Sequence, residues 1–313
     1  MMKRALKYQQ GVSLIELMIA GVISLLASYF VMSILITTNQ TASKSATLSQ
    51  AQETGRYTIS WLESAISRAG YNPSIEESVQ QKVENYFPFA TLCPVGAPLP
   101  PANNANCTFE SSDPSEGDRI AVNRHFSETS DAEYESEDCV GNDLSGRVVE
   151  GALLTDVFWV DRDTLSDGVD YSDLVNGIEN YDNPNAYDDI LRCVTYDENG
   201  VALNDAATLA SGIEGLQAIY GEATTDARGD MVSLSYVSAN NIQQRDFSSV
   251  TTVKLAILTR SFSEDPVSRK SSRYILLDAD PYLFNDGVIR QILSTTINLY
   301  NYKTLDTRDV EFK

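Results

Sequence analysis

From residue 12 to residue 36 the chain is apolar at nearly every position (VSLIELMIAGVISLLASYFVMSILI), and its single charge is Glu16. A pattern with no polar face predicts a helix surrounded by apolar material on every side. At 1.5 Å per residue these 25 residues reach about 37 Å, enough to cross a bilayer core of roughly 30 Å with some tilt. Beyond residue 36 the sequence turns polar (Thr37, Thr38, Asn39, Gln40) but keeps one apolar stripe. Leu48, Ala51, Gly55, Ile59, Leu62, Ile66 and Ala69 recur at helical spacing, which predicts an amphipathic continuation. No proline precedes Pro73, and Gly70 is placed to end the helix at C′. The pattern therefore predicts one helix over residues 12–69. Its 12–36 half sits in lipid, and its 37–69 half packs one stripe on a globular domain.

From residue 71 the period shifts toward two. Residues 118–126, 153–160, 190–196, 215–220, 231–237, 250–262, 274–277 and 288–300 read as strands. Asp197, Glu198, Asn199 and Gly200 form a turn signal after 190–196, and Val201, Ala202 and Leu203 then predict the returning arm of a hairpin. Strands in runs after one long helix predict an α+β protein, with the helix laid on an antiparallel sheet and residues 70–313 as the globular domain.

Charge narrows the chemistry. With 23 Lys+Arg against 44 Asp+Glu, the net charge of −21 excludes the basic face that a nucleic-acid binder needs. Much of the acid lies in loop-like sequence and reads as solvated. Asp161, Asp163 and Asp167 are the one candidate cation set, although their spacing is not that of an EF-hand. His125 is the sole histidine, too few for a multi-histidine metal site, and it reads as structural. No nucleophile-elbow, phosphate-loop, dinucleotide or zinc-protease motif occurs, so the sequence predicts no catalytic residue and no cofactor. Cys93, Cys107, Cys139 and Cys193 allow three pairings and show no C-x-x-C spacing. The simplest pairing closes Cys93–Cys107 around a Pro/Ala/Asn-rich loop and leaves Cys139–Cys193 to staple the acidic region to the strand at 190–196.

Lys3, Arg4 and Lys7 precede the apolar run, and by the positive-inside rule they place the N-terminus in the cytoplasm. A carboxylate inside such a span costs about 2.5–3.5 kcal/mol on insertion scales and calls for a partner. Residues Gly11, Val12, Ser13, Leu14, Ile15, Glu16 and Leu17, behind that basic leader, resemble the type IV prepilin signature. The resemblance implies that residues 1–11 are a leader, that prepilin peptidase cuts between Gly11 and Val12, and that Val12 is then N-methylated. It implies a pilin-like fold in which Glu16 neutralises the N-terminal ammonium of a neighbouring subunit in the fibre core. It also implies a single-pass inner-membrane form with a periplasmic domain in a Gram-negative bacterium, which later enters the fibre.

Several internal segments are similar to the PilW minor pilin family. They are Asp138-Cys139-Val140-Gly141 (D-C-x-G), Leu191-Arg192-Cys193 (L-x-C), and residues 209–221, 253–261 and 290–299. This likeness implies a role in initiating type IV pilus assembly, in a minor-pilin complex at the tip. Its expected partners are other minor pilins, the major pilin, the assembly platform, membrane lipid before assembly, and in one reading a tip adhesin. Two alternatives stand beside it: a J-type pseudopilin of type II secretion, and a tip binding module whose acidic loops meet a ligand.

Overall fold

Residues 14–67 leave no turn signal, and in the computed structural model they form a single helix, α1 (Leu14–Ser67). The structure describes residues 13–72, 87–92, 106–111, 117–128, 135–162, 189–226, 231–242, 247–264 and 271–300. The chain divides into two compact units, Met1–Thr47 and Leu48–Lys313, and α1 contributes to both. In the first unit its large apolar side chains, from Leu14 to Ile36, are exposed. In the second unit Ala51, Gly55, Thr58, Leu62, Ala65 and Ile66 are buried; the predicted stripe holds at Ala51, Gly55, Leu62, Ile66 and Ala69, while Leu48 is exposed and Ile59 half-buried. Gly70 ends the helix as expected. Its φ of +74° suits a residue without Cβ, and its N–H donates to the Asn123 carbonyl at 2.7 Å.

The second unit carries ten strands among its described residues: β1 (Ile120–His125), β2 (Leu153–Arg162), β3 (Asp189–Tyr196), β4 (Ala207–Ser211), β5 (Ile213–Thr225), β6 (Met231–Ser238), β7 (Val250–Glu264), β8 (Ser272–Tyr274), β9 (Tyr282–Phe284) and β10 (Val288–Asn298). They form not one sheet but two of four strands, in the orders β1-β2-β3-β4 and β10-β7-β5-β6, plus a β8-β9 ribbon. All pairings between these strands are antiparallel. The chain passes from one sheet to the other at Gly212, between β4 and β5, where φ is +76°. There the Gly212 N–H donates to the Asp189 carbonyl and its carbonyl accepts from Arg260 N–H, which ties the corner to both sheets.

The predicted hairpin forms at its turn: Asp197 N–H donates to the Val201 carbonyl, Leu203 N–H donates to the Thr195 carbonyl and Ala202 bridges Tyr196, while the longer ladder on β3 is made by β4, further along the chain. The strand expected at 274–277 stops at Tyr274, because Leu276 leaves the ladder to fill the cluster between the ribbon and the second sheet.

Apolar faces of both sheets and the end of α1 share one core. Leu62, Ile66 and Ala69 lie in it with Val122, Phe158, Leu191, Leu216, Val253 and Ile257. At its centre Phe89, Tyr220 and Phe247 pack ring on ring, with centroids 5.1–5.6 Å apart. The β6 edge of the second sheet differs from the rest. It contains no charge and no proline, and Met231, Val232, Leu234 and Tyr236 are exposed. Lys254 lies over the Tyr236 ring at 4.9 Å.

Candidate functional site

Two parts of α1 bear on function, and they are described separately. In the first unit Ser13 precedes the helix, and its backbone N–H donates to Glu16 Oε2 at 3.4 Å. Ser-x-x-Glu is the capping-box spacing, in which the acid at N3 satisfies the N–H of the cap residue. Ser13-Leu14-Ile15-Glu16 was open to that reading in the sequence. It gives the carboxylate a local bond while the outward surface around it is apolar. Gly11 and Val12, the expected cleavage pair, lie outside the described residues. By length and composition α1 can cross a membrane.

In the second unit the helix is seated closely. A Cβ at Gly55 would lie 2.5 Å from Leu293 Cδ1 and 2.9 Å from Thr259 Cγ2, so the backbone there runs against β10 and β7 with no room for a side chain. One turn and a half later Trp61 donates its Nε1–H to the Cys139 carbonyl at 3.2 Å. The Cys139–Cys193 disulfide predicted from sequence is present, with a Cα–Cα distance of 6.3 Å. It closes a separation of 54 residues, worth about 4 kcal/mol if the effect lies in the unfolded chain's entropy. Cys107 is buried, and its expected partner Cys93 lies outside the described residues.

A buried charge network supports this corner. Arg124 is wholly buried in β1, and its Nε donates to Asp156 Oδ2 at 2.7 Å. Its NH1 donates to the Glu135 carbonyl at 3.1 Å, and its NH2 donates to the Glu137 carbonyl at 2.5 Å. Thr195 Oγ1 donates to Asp156 Oδ1 at 2.7 Å and accepts the Cys139 N–H at 2.8 Å. Burial pushes the Glu135 carboxyl up, against the pull of Arg68 and Arg124. Burial, aided by Arg124, lowers Arg68 at the helix end. These acids are therefore not the solvated loop acids that the sequence suggested. The signal was register: Arg124 occupies the inward slot after Ile120 and Val122, and Asp156 the inward slot between Leu154 and Phe158.

A second joint links the sheets. The Asp118 carboxylate accepts N–H bonds from Ser111 at 3.0 Å and Ala218 at 2.7 Å, while its own N–H donates to the Leu216 carbonyl. Of the candidate cation set, Asp161 is instead bonded by Arg192 Nε at 2.7 Å, and Asp163 and Asp167 lie outside the described residues. Among the described residues no three His, Cys, Asp or Glu side chains group as a metal site. His125 Nδ1 lies 2.9 Å from the Tyr71 carbonyl, a structural contact beside the helix exit.

These observations amount to a long helix, apolar through residue 36 and buried in one stripe after residue 48, with antiparallel sheets carrying that stripe. Residues 179–301 match the family described as Type IV Pilus-assembly protein W, PilW. A structural comparison gives similarity to a type IV-like pilin from Thermus thermophilus, at 12% identity and a TM-score of 0.37, over 81% of this chain and 98% of that one. No curated protein matches the chain.

Proposed function

We propose that this chain is a minor pilin that takes part in initiating type IV pilus assembly, within a complex of minor pilins at the fibre tip. The observation that carries the reading is the outward surface of α1: every large apolar side chain from Leu14 to Ile36 is exposed, and one carboxylate, Glu16, interrupts them near the start. Such a surface needs lipid first and other apolar helices afterwards. Within packed helices the Glu16 carboxylate needs a cation, and the N-terminal ammonium of a neighbouring subunit supplies one. In this reading prepilin peptidase cuts between Gly11 and Val12 on the cytoplasmic side, Val12 is methylated, and the globular domain stands in the periplasm until an assembly platform moves it into the fibre. The role is structural, and its partners are other minor pilins and the major pilin. The family description, which names pilus assembly, supports it.

The test is Glu16→Ala. Membrane insertion should be unchanged or easier, since the only charge of the span is gone. Sheared pili should fall in number, and the subunit should be depleted in them relative to membrane-bound protein. Mass spectrometry of the mature chain should find N-methylvaline at residue 12. Wild-type piliation and incorporation of the mutant would overturn the assembly role of Glu16, and an unprocessed terminus would overturn the class of maturation.

A further inference from the structure

We infer that the loop of residues 135–148 is a redox-set strap, in which closing the Cys139–Cys193 disulfide seats the last turns of α1, so that a dithiol oxidation must precede the helix-seated form of this chain. The inference concerns the globular domain alone and stands whether or not the assembly reading does.

The argument starts from the peptide groups of Cys139. Its carbonyl accepts the Trp61 indole N–H from the helix, its N–H donates to Thr195 on β3, and its sulfur is bonded to Cys193 on β3. The same residue thus carries the covalent link to the sheet and the hydrogen bond to the helix. Upstream, the loop's carbonyls at Glu135 and Glu137 are held by Arg124, and its Glu135 carboxylate sits in the field of Arg68, just past the last helical residue. Val140 packs against the shared core. The strap therefore meets the helix through Trp61, and Arg68 just beyond the helix attracts its Glu135 carboxylate.

With the thiols reduced, the remaining polar holds of Cys139 on the sheet side are single hydrogen bonds, from its N–H to Thr195 and from the Asn204 amide to its sulfur. Neither holds Cys139 against β3 as a covalent bond does, and the Arg124 bonds to the Glu135 and Glu137 carbonyls anchor the start of the loop without fixing Cys139 itself. Loss of the Cys139 carbonyl leaves the Trp61 N–H to find water, and the turns around it open. The Gly55 seat, one and a half turns earlier, rests on Leu293 and Thr259 of the second sheet and stays. The step balances simply: two thiols become one cystine, and two protons and two electrons pass to an oxidant of the disulfide class, which is itself reduced to two thiols.

The experiment uses the full chain in detergent micelles, titrated with dithiothreitol, with Cys139 and Cys193 alkylation followed by peptide mass. Hydrogen exchange is read over residues 60–70, with β5 and β7 as internal references. Trp159→Phe leaves Trp61 as the only indole of the two in the chain, so its emission reports the same site. Reduction should speed exchange over 60–70 about tenfold or more while β7 keeps its protection, and Trp61 emission should shift with the same midpoint as the thiols. Trp61→Phe with the disulfide intact should loosen 60–70 without changing the thiol titration. Protection of 60–70 in the reduced protein would overturn the strap. So would loss of protection in β7 at the same step, or a Trp61→Phe variant whose helix end exchanges as wild type does.

Discussion

Asp118 shows how one side chain can make the stability of this molecule depend on pH. Burial pushes its carboxyl well above the usual carboxylate range, Glu110 and Asp278 push the same way, and the N–H bonds from Ala218 and Ser111 oppose them. An acid whose pKa is higher folded than unfolded binds its proton more tightly in the folded state. Its contribution is complete below the unfolded value of about 3.9 and is lost as pH rises through the folded value. Asp118→Asn cannot titrate. Thermal unfolding of wild type and variant from pH 4 upward should therefore show a wild-type advantage that shrinks as pH rises, and a constant difference would exclude the effect. Arg124 has other surroundings: burial works to lower its pKa, and the neighbouring Asp156 and Glu135 carboxylates raise it above the ordinary value. Both residues were visible in the sequence as polar letters in inward register, yet neither could be assigned a partner, because alternation names a face and not what faces it.

The elements were more legible than their grouping. The stripe from Ala51 to Ala69 marked most of the buried side of α1, Gly70 marked the turn after its end, and seven of eight expected strands lay where the period was two, the one at 274–277 meeting β8 only at Tyr274. Sheet membership was not legible. The split at Gly212 depends on a left-handed corner that one glycine among 17 does not announce. β4, with partly buried Ala-Thr-Leu-Ala-Ser, is too weakly patterned to displace the turn-flanked residues 201–203 as the partner of β3. The Cys139–Cys193 staple was legible because only three pairings existed, whereas the Trp61 contact to it was not. The helix seat yields a prediction at this scale. Gly55→Leu adds a side chain where a single Cβ already meets Leu293 at 2.5 Å. Overpacking costs typically about 1–3 kcal/mol, so chemical denaturation should show a lower midpoint. Gly55→Ala should lose less, as Leu293 can rotate away. Equal stability of Gly55→Leu and wild type would mean that the helix stands further from β7 and β10 than its backbone indicates.

At the scale of the whole molecule, a net charge of −21 and an uncharged sheet edge act against each other. Sheet edges are ordinarily guarded by charge, proline or a bulge that turns the edge aside. β6 exposes Val232, Leu234 and Tyr236 with no charge and no proline in its own sequence, its register irregularity is confined to its first residues, between Met231 and Ser233, and the nearby Lys254 is engaged with the Tyr236 ring. With a net charge of −21 on the chain, long-range repulsion should keep two copies of the globular unit apart, and that repulsion belongs to the solution as much as to the chain. Its reach falls from about 30 Å at 0.01 M salt to about 3 Å at 1 M. A fragment beginning at Leu48 should therefore stay monomeric at low ionic strength and associate as salt is added, read by light scattering. Val232→Lys should abolish that association, whereas a scattering curve flat in salt would show that the edge is protected by something other than charge. The domain's colloidal stability is thus set by the electrolyte around it, and a subunit that is well behaved in dilute buffer becomes adhesive to its own kind in brine.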